Sequence, residues 1–198
     1  MNDQALILMA KFPHPDTVKT RLKGHMTDIE RVTLYQALLR QTIQKMKSLH
    51  GIDTFITYTP HNTRDYFLRF GLKMFPQADG NLGEKMFEAM NVCFQKAYRS
   101  VVLIGVDIPD VTDEIVKQAF DYLRNNDIVF GPAADGGYYL VGLTRPFKKL
   151  FDDIPWSTGQ VLMRSLEKAK LSGYSVAVTE ILEDIDTIDD IKRSGLME

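Results

Sequence analysis

Thiol chemistry is almost missing from this sequence, in which Cys93 is the one cysteine. An internal disulfide is therefore excluded, and so is a zinc site built on thiolates. Cys93 falls at helical spacing with Met86, Met90 and Ala97, which reads as a core position rather than a nucleophile. Long hydrophobic runs are missing too. The apolar run at residues 5–10 is too short for a signal peptide, and no basic stretch precedes it. Nothing approaches the ~20 apolar residues that span a bilayer. A cytoplasmic location is the expectation. The net charge of −2 offers no basic field for a nucleic acid. No G-x-G-x-x-G follows the first apolar run, and no P-loop, G-x-S-x-G or H-E-x-x-H occurs, which disfavours dinucleotide dehydrogenases, P-loop kinases, serine hydrolases and zincins. The four histidines, His14, His25, His50 and His61, have no metal-ligand spacing.

What is present is an alternation. With 198 residues, 44% of them hydrophobic, the chain can bury a sizeable core, and a single domain over 1–198 is expected. Residues 5–10 and 101–107 predict buried strands. Residues 54–58, 72–75, 127–130, 138–143 and 175–178 predict further strands. Between them lie helical patterns. One follows a capping box of Thr27 and Glu30 and carries Ile29, Val32, Tyr35, Leu38, Leu39, Ile43 and Met46. Others follow Gly83 and the cap Thr112, and one is predicted to begin at Ser157 with Gln160 completing a capping box. A terminal helix is expected after Thr187. Strand and helix alternate, which predicts an α/β protein with a doubly wound, largely parallel sheet.

Four groups of residues suggest chemistry. Asp107 stands where the run 101–106 emerges, the usual ligand position in an open α/β sheet, although an acid there also caps turns. The Pro-rich loop after the first strand carries Lys11, Lys19, Arg21 and Lys23. Lys11, Lys19 and Arg21 suit phosphate oxygens, whereas Lys23 suits solvent. Gly80, Leu82 and Gly83 open a helix, where bare backbone N–H groups bind anions, and a plain helix start would use the same residues. Asp135, Gly136 and Gly137 suggest close backbone approach to a ligand, or a tight reversal. Late acids, Glu183, Asp184 and Asp186, complete the set. Mg²⁺ takes one or two carboxylates, waters and phosphates, which Asp107 with one of these acids would match.

The motifs occur in a familiar order. They are Lys11-x-Pro13-x-Pro15-x-x-x-Lys19-Thr20-Arg21-Leu22, Gly80-x-Leu82-Gly83-Glu84-Lys85-Met86 and Ile104-Gly105-x-Asp107-x-Pro109. Gly131-Pro132-Ala133-x-Asp135-Gly136-Gly137-Tyr138-Tyr139-Leu140, Trp156-Ser157-Thr158 and Asp184-Ile185-Asp186-Thr187 follow. The chain resembles, over nearly its whole length, the bacterial glycosyltransferase-like family of arsenosugar-biosynthesis type, in the nucleotide-diphospho-sugar transferase superfamily. The resemblance implies a GT-A fold, a three-layer α/β/α sandwich with a mostly parallel sheet. It implies a divalent metal, Mg²⁺ or Mn²⁺, on Asp107 and Asp186. It implies phosphate binding by Lys11, Lys19 and Arg21, with Gly80, Leu82 and Gly83 near the base and Asp135, Gly136 and Gly137 near the sugar or acceptor. Asp107, Asp135 and Lys19 are the implied catalytic residues. Asp16 stands where the family usually has Gly.

The resemblance leaves three functions. The first is a metal-dependent transfer of a glycosyl group from a nucleotide-diphospho-sugar to a small acceptor. The second is nucleotidyl transfer from an NTP to a phosphorylated small molecule, releasing pyrophosphate. The third is a non-catalytic nucleotide-binding domain. Their partners would be small molecules rather than nucleic acid or membrane.

Overall fold

The computed structural model of the chain describes residues 2–185, 188, 190 and 191. In chain order the elements are β1 Gln4–Lys11, α1 Asp28–Met46, β2 Ile52–Thr59, α2 Arg64–Leu68 and β3 Lys73–Pro76. Then come α3 Leu82–Gln95, β4 Ser100–Gly105, α4 Asp113–Tyr122, β5 Ile128–Pro132, β6 Tyr138–Leu143, α5 Val161–Leu171 and β7 Val176–Val178. The strands form one seven-stranded sheet in the order β3-β2-β1-β4-β6-β5-β7. All neighbours run parallel except around β6, which is antiparallel to both β4 and β5. The cause is the short connection from Pro132 to Tyr138, which allows a hairpin but no crossover.

Alternation along the strands builds the layers. Leu6, Leu8, Ile56, Val102 and Ile104 face α1 and α4 with Tyr35, Leu39, Val116 and Phe120. Ala5, Ile7, Phe55, Val101 and Leu103 face α3 and α5 with Met86, Met90, Cys93 and Ala169. The three-layer α/β/α architecture expected from the sequence is therefore present. No helix among the described residues is long and apolar enough to cross a membrane.

Local signals act where expected at two helix starts. Thr27 and Glu30 close a capping box on α1, and the Thr112 hydroxyl accepts from the Ile115 N–H on α4. The helix start predicted at Ser157 is a correction. There α5 begins at Val161, and Ser157 takes a left-handed φ of 65°. The Thr158 hydroxyl accepts from the Gln160 N–H, so this polar turn occupies the predicted first helical turn. The central strand also ends early, at Gly105, leaving Asp107 beyond its end. The predicted cap Thr187 lies outside the described residues.

Candidate nucleotide site

Register brings the carboxyl edge of the sheet into one row. Met9 pairs with Gly105, so β1 runs on to Lys11 beside the point where the chain leaves β4 towards Asp107. Lys11 pairs with Thr59, and Tyr58 with Pro76, which sets Gln77 on the same rung. Two adjoining cavities open along this row. One of about 320 Å³ has an apolar side of Met9, Leu82, Met86, Leu103 and Trp156, and reaches Gln77, Asp135, Gly137 and Asp184. The other, of about 270 Å³, is walled mainly by the basic loop, including Lys19. Lys11, Arg21, Tyr35, Asp107 and Ser157 border both.

Lys19 is the structural centre of the loop. Its side chain is 1% exposed and its φ is 48°. Its Nζ donates to the Ile185 carbonyl at 2.7 Å and lies 3.0 Å from Asp107 Oδ1. The Ile185 N–H in turn donates to the Asp107 carbonyl at 3.4 Å. Lys19 thus ties the first loop to the central acid and to the late segment. The Asp107 side chain is 46% exposed while Oδ1 is buried, so Oδ2 carries most of the carboxylate's exposure. Asp186 lies outside the described residues, and Asp184 borders the larger cavity.

Two buried side chains of α1, Tyr35 and Arg31, hold the end of β1 and the basic loop. Tyr35, 2% exposed on α1, accepts the Lys11 N–H through its hydroxyl at 2.8 Å. Burial pushes its pKa well above the ordinary phenol value, and the Asp107 charge adds to this, so the hydroxyl keeps its proton. Arg31 is fully buried and donates to the Pro15 and Val18 carbonyls at 2.8 and 3.1 Å, pinning the basic loop onto α1. Asp16 borders neither cavity. Its carboxylate lies 3.6 Å from Lys23 Nζ, so its charge is turned towards that cation.

The glycines divide. Gly137 borders the larger cavity, and its N–H donates to Asp135 Oδ1 at 2.8 Å in an Asx turn. Gly136 and Gly80 border neither cavity. Gly136, at φ 86°, allows the Gly159 backbone to approach; an added Cβ would lie 2.2 Å from its carbonyl oxygen. Gly80 precedes a capping box of Asn81 and Glu84. Gly83 packs under Trp156 rather than opening to the cavity, with an added Cβ only 2.7 Å from the ring. Trp156 therefore both anchors α3 and walls the cavity.

The model of a family described as "Uncharacterized protein conserved in bacteria (DUF2064)" matches residues 42–158. The chain belongs to the DUF2064 family. Among solved structures, this DUF2064 chain is similar to a "putative nucleotide-diphospho-sugar transferase" from Desulfovibrio desulfuricans G20. The two share 32% identity at a TM-score of 0.91, over 96% of this chain and 85% of that one. The fold is thus that of the nucleotide-diphospho-sugar transferases, of GT-A type. More distant likenesses share the fold alone. One is CMP:2-keto-3-deoxy-manno-octonic acid synthetase complexed with CTP, at 12% identity, TM-score 0.63 and 98% of both chains. Another is the 4-diphosphocytidyl-2C-methyl-D-erythritol synthase of Anaerococcus prevotii DSM 20548, at 10% identity, TM-score 0.62, 99% of this chain and 97% of that one. A search of the curated proteins finds no match.

The chemistry of the DUF2064 donor set accommodates a hard divalent cation. No cluster of three His, Cys, Asp or Glu ligands occurs among the described residues. Mg²⁺ does not need one, because phosphates and waters fill most of its shell. The outward Oδ2 of Asp107 is a suitable single carboxylate, with Lys19 holding the inner oxygen.

Proposed function

We propose that the chain is a transferase that binds a nucleotide-diphospho-sugar and passes the glycosyl group to a small hydroxyl acceptor. One observation carries this reading: a cationic, carboxylate-bearing set, Lys11, Arg21 and Asp107, borders both an apolar slot and a polar cavity. The slot suits a base, and the cations suit the diphosphate. Arg21 and Lys11 would hold the phosphate oxygens. Asp107 would hold a divalent ion through Oδ2, which when bound neutralises charge on the leaving diphosphate. Lys19 orients Asp107. Asp135, on the lining of the larger cavity, would accept the acceptor's proton as its oxygen bonds to the anomeric carbon. The bond from that carbon to the diphosphate oxygen breaks, and a nucleoside diphosphate leaves. An arsenosugar-type precursor would be one such small acceptor.

The polar second cavity favours nucleotidyl transfer as a second reading. It offers room beside Lys19 and Arg21 for a leaving pyrophosphate. There an acceptor phosphate oxygen would attack the α-phosphorus of an NTP. Both readings face one experiment. UDP-, GDP-, CMP- and dTDP-sugars and free NTPs are screened by thermal shift with and without Mg²⁺ or Mn²⁺, then by product assay. A ligand at 100 times its Kd adds about 2.7 kcal/mol, or about 5–10 °C in a chain of this size. Released nucleoside diphosphate supports the first reading and pyrophosphate the second. Binding without metal, unchanged in Asp107→Asn and without turnover, supports a non-catalytic nucleotide-binding domain. No shift with any nucleotide overturns all three.

A further inference from the structure

Lys11, Arg21, Tyr35, Asp107 and Ser157 border both cavities. Lys11, Arg21 and Ser157 are exposed and Asp107 partly so, whereas Tyr35 is buried. Tyr35 reaches the cavities from α1, one helical turn beyond Arg31. Arg31 holds the basic loop at Pro15 and Val18, and the Tyr35 hydroxyl accepts the Lys11 N–H at 2.8 Å. That bond uses a lone pair of the phenol oxygen. It leaves the phenol proton, which no acceptor among the described residues takes up. Burial, and then the Asp107 charge, keep that proton on the oxygen. The Lys11 N–H requires only an acceptor. A phenol brings a proton as well, and a buried O–H left without a partner is costly. Lys11 and Arg21 on the same wall draw an anionic oxygen towards it, and the phenol adds a donor there without adding charge. Its place is set by packing in the α1 layer, whereas the long cationic side chains lose rotamer freedom on binding.

We infer that Tyr35 is a phosphate-binding residue: its hydroxyl donates to a phosphate oxygen of the bound nucleotide while it accepts the Lys11 N–H. This rests on the nucleotide reading above. The phenol thereby couples the ligand to the loop. Donation to a phosphate makes its oxygen a better acceptor, so the bound anion strengthens the bond that holds the start of the basic loop.

The test alters the phenol without removing it. Tyr35 alone is replaced by 3-fluorotyrosine, whose fluorine withdraws electrons, so the hydroxyl donates more strongly and accepts more weakly. Affinities for UDP, CDP, ADP and GDP are measured by calorimetry with Mg²⁺, and the tightest is the probe. The fluorinated chain should bind the probe more tightly than the unaltered chain, and the ³¹P resonances of the bound probe should differ between the two. Tyr35→Phe should bind it about tenfold more weakly or worse, as expected for the loss of a hydrogen bond to a charged group. A phenol that only accepts the Lys11 N–H predicts the opposite sign, because fluorine weakens acceptance. Equal or weaker binding by the fluorinated chain therefore overturns the donation, whether or not Tyr35→Phe folds. Tighter binding with unchanged ³¹P resonances overturns phosphate as the acceptor. Failure of all four nucleoside diphosphates to bind the unaltered chain overturns the nucleotide reading instead.

Discussion

Removing the ammonium of Lys19 tests whether the first loop and the central acid form one unit. Lys19→Met keeps the stem length and the left-handed backbone cost, because neither residue is glycine. It deletes a donor 2.7 Å from the Ile185 carbonyl and 3.0 Å from Asp107 Oδ1. Two unit charges at that separation attract by about 5.5 kcal/mol at an effective dielectric of about 20, and by about 1.4 kcal/mol in water. Asp107 is nearly half exposed, and desolvation of the buried ammonium opposes the gain. A coupling of about 1–3 kcal/mol between the pair is therefore expected. The assay is urea unfolding of four chains: the parent, Lys19→Met, Asp107→Asn and the double variant. Lys19→Met alone should cost about 2–4 kcal/mol, since it also strands a buried oxygen and a backbone carbonyl. The double variant should cost less than the sum. Additivity within about 0.5 kcal/mol would refute the pairing, because independent sites add to that precision.

Two further outcomes are expected. Gly83→Ala places a methyl 2.6 Å from the Phe151 carbonyl and 2.7 Å from the Trp156 ring. It should cost about 1–3 kcal/mol and shift tryptophan emission, which reports cleanly because Trp156 is the one tryptophan; unchanged emission and midpoint would disprove the packing. Burial pushes the Cys93 thiol up to about 12. Between its ordinary value of 9.0 and that pKa the unfolded chain has lost a proton that the folded chain keeps. Stability from this group is complete below pH 9 and falls with rising pH by up to about 1.4 kcal/mol per unit, so urea midpoints should drop through that window. A flat or rising midpoint would contradict the sign.

The sequence carried the frame because its signals are periodic. The runs at residues 5–10 and 101–106 alternate in space onto two helix layers, and their side-by-side pairing sets Asp107 beside the basic loop. The residues that finish the site were harder to find for a physical reason. Tyr35 sits in an apolar stripe, and nothing local reveals that its hydroxyl caps the end of β1. Arg31 carries no local signal that the loop will fold over it. Gln77 opens the Gly-rich loop, and nothing local marks its amide as a staple between strand ends. Its role depends on Ala10 and Thr57 carbonyls that are 67 and 20 residues away in the chain. Gly83 shows the converse. A glycine expected to admit a ligand also leaves room for an indole ring.

The bond from Lys19 to Ile185 closes a loop of 166 residues. In chain order the basic loop and the strand leading to Asp107 come well before the Ile185 carbonyl that Lys19 binds. All seven strands of the described sheet also precede Ile185, so the sheet can be complete before this contact is made. Until the Ile185 segment docks, the Lys19 ammonium lacks one of the groups that hold it beside Asp107.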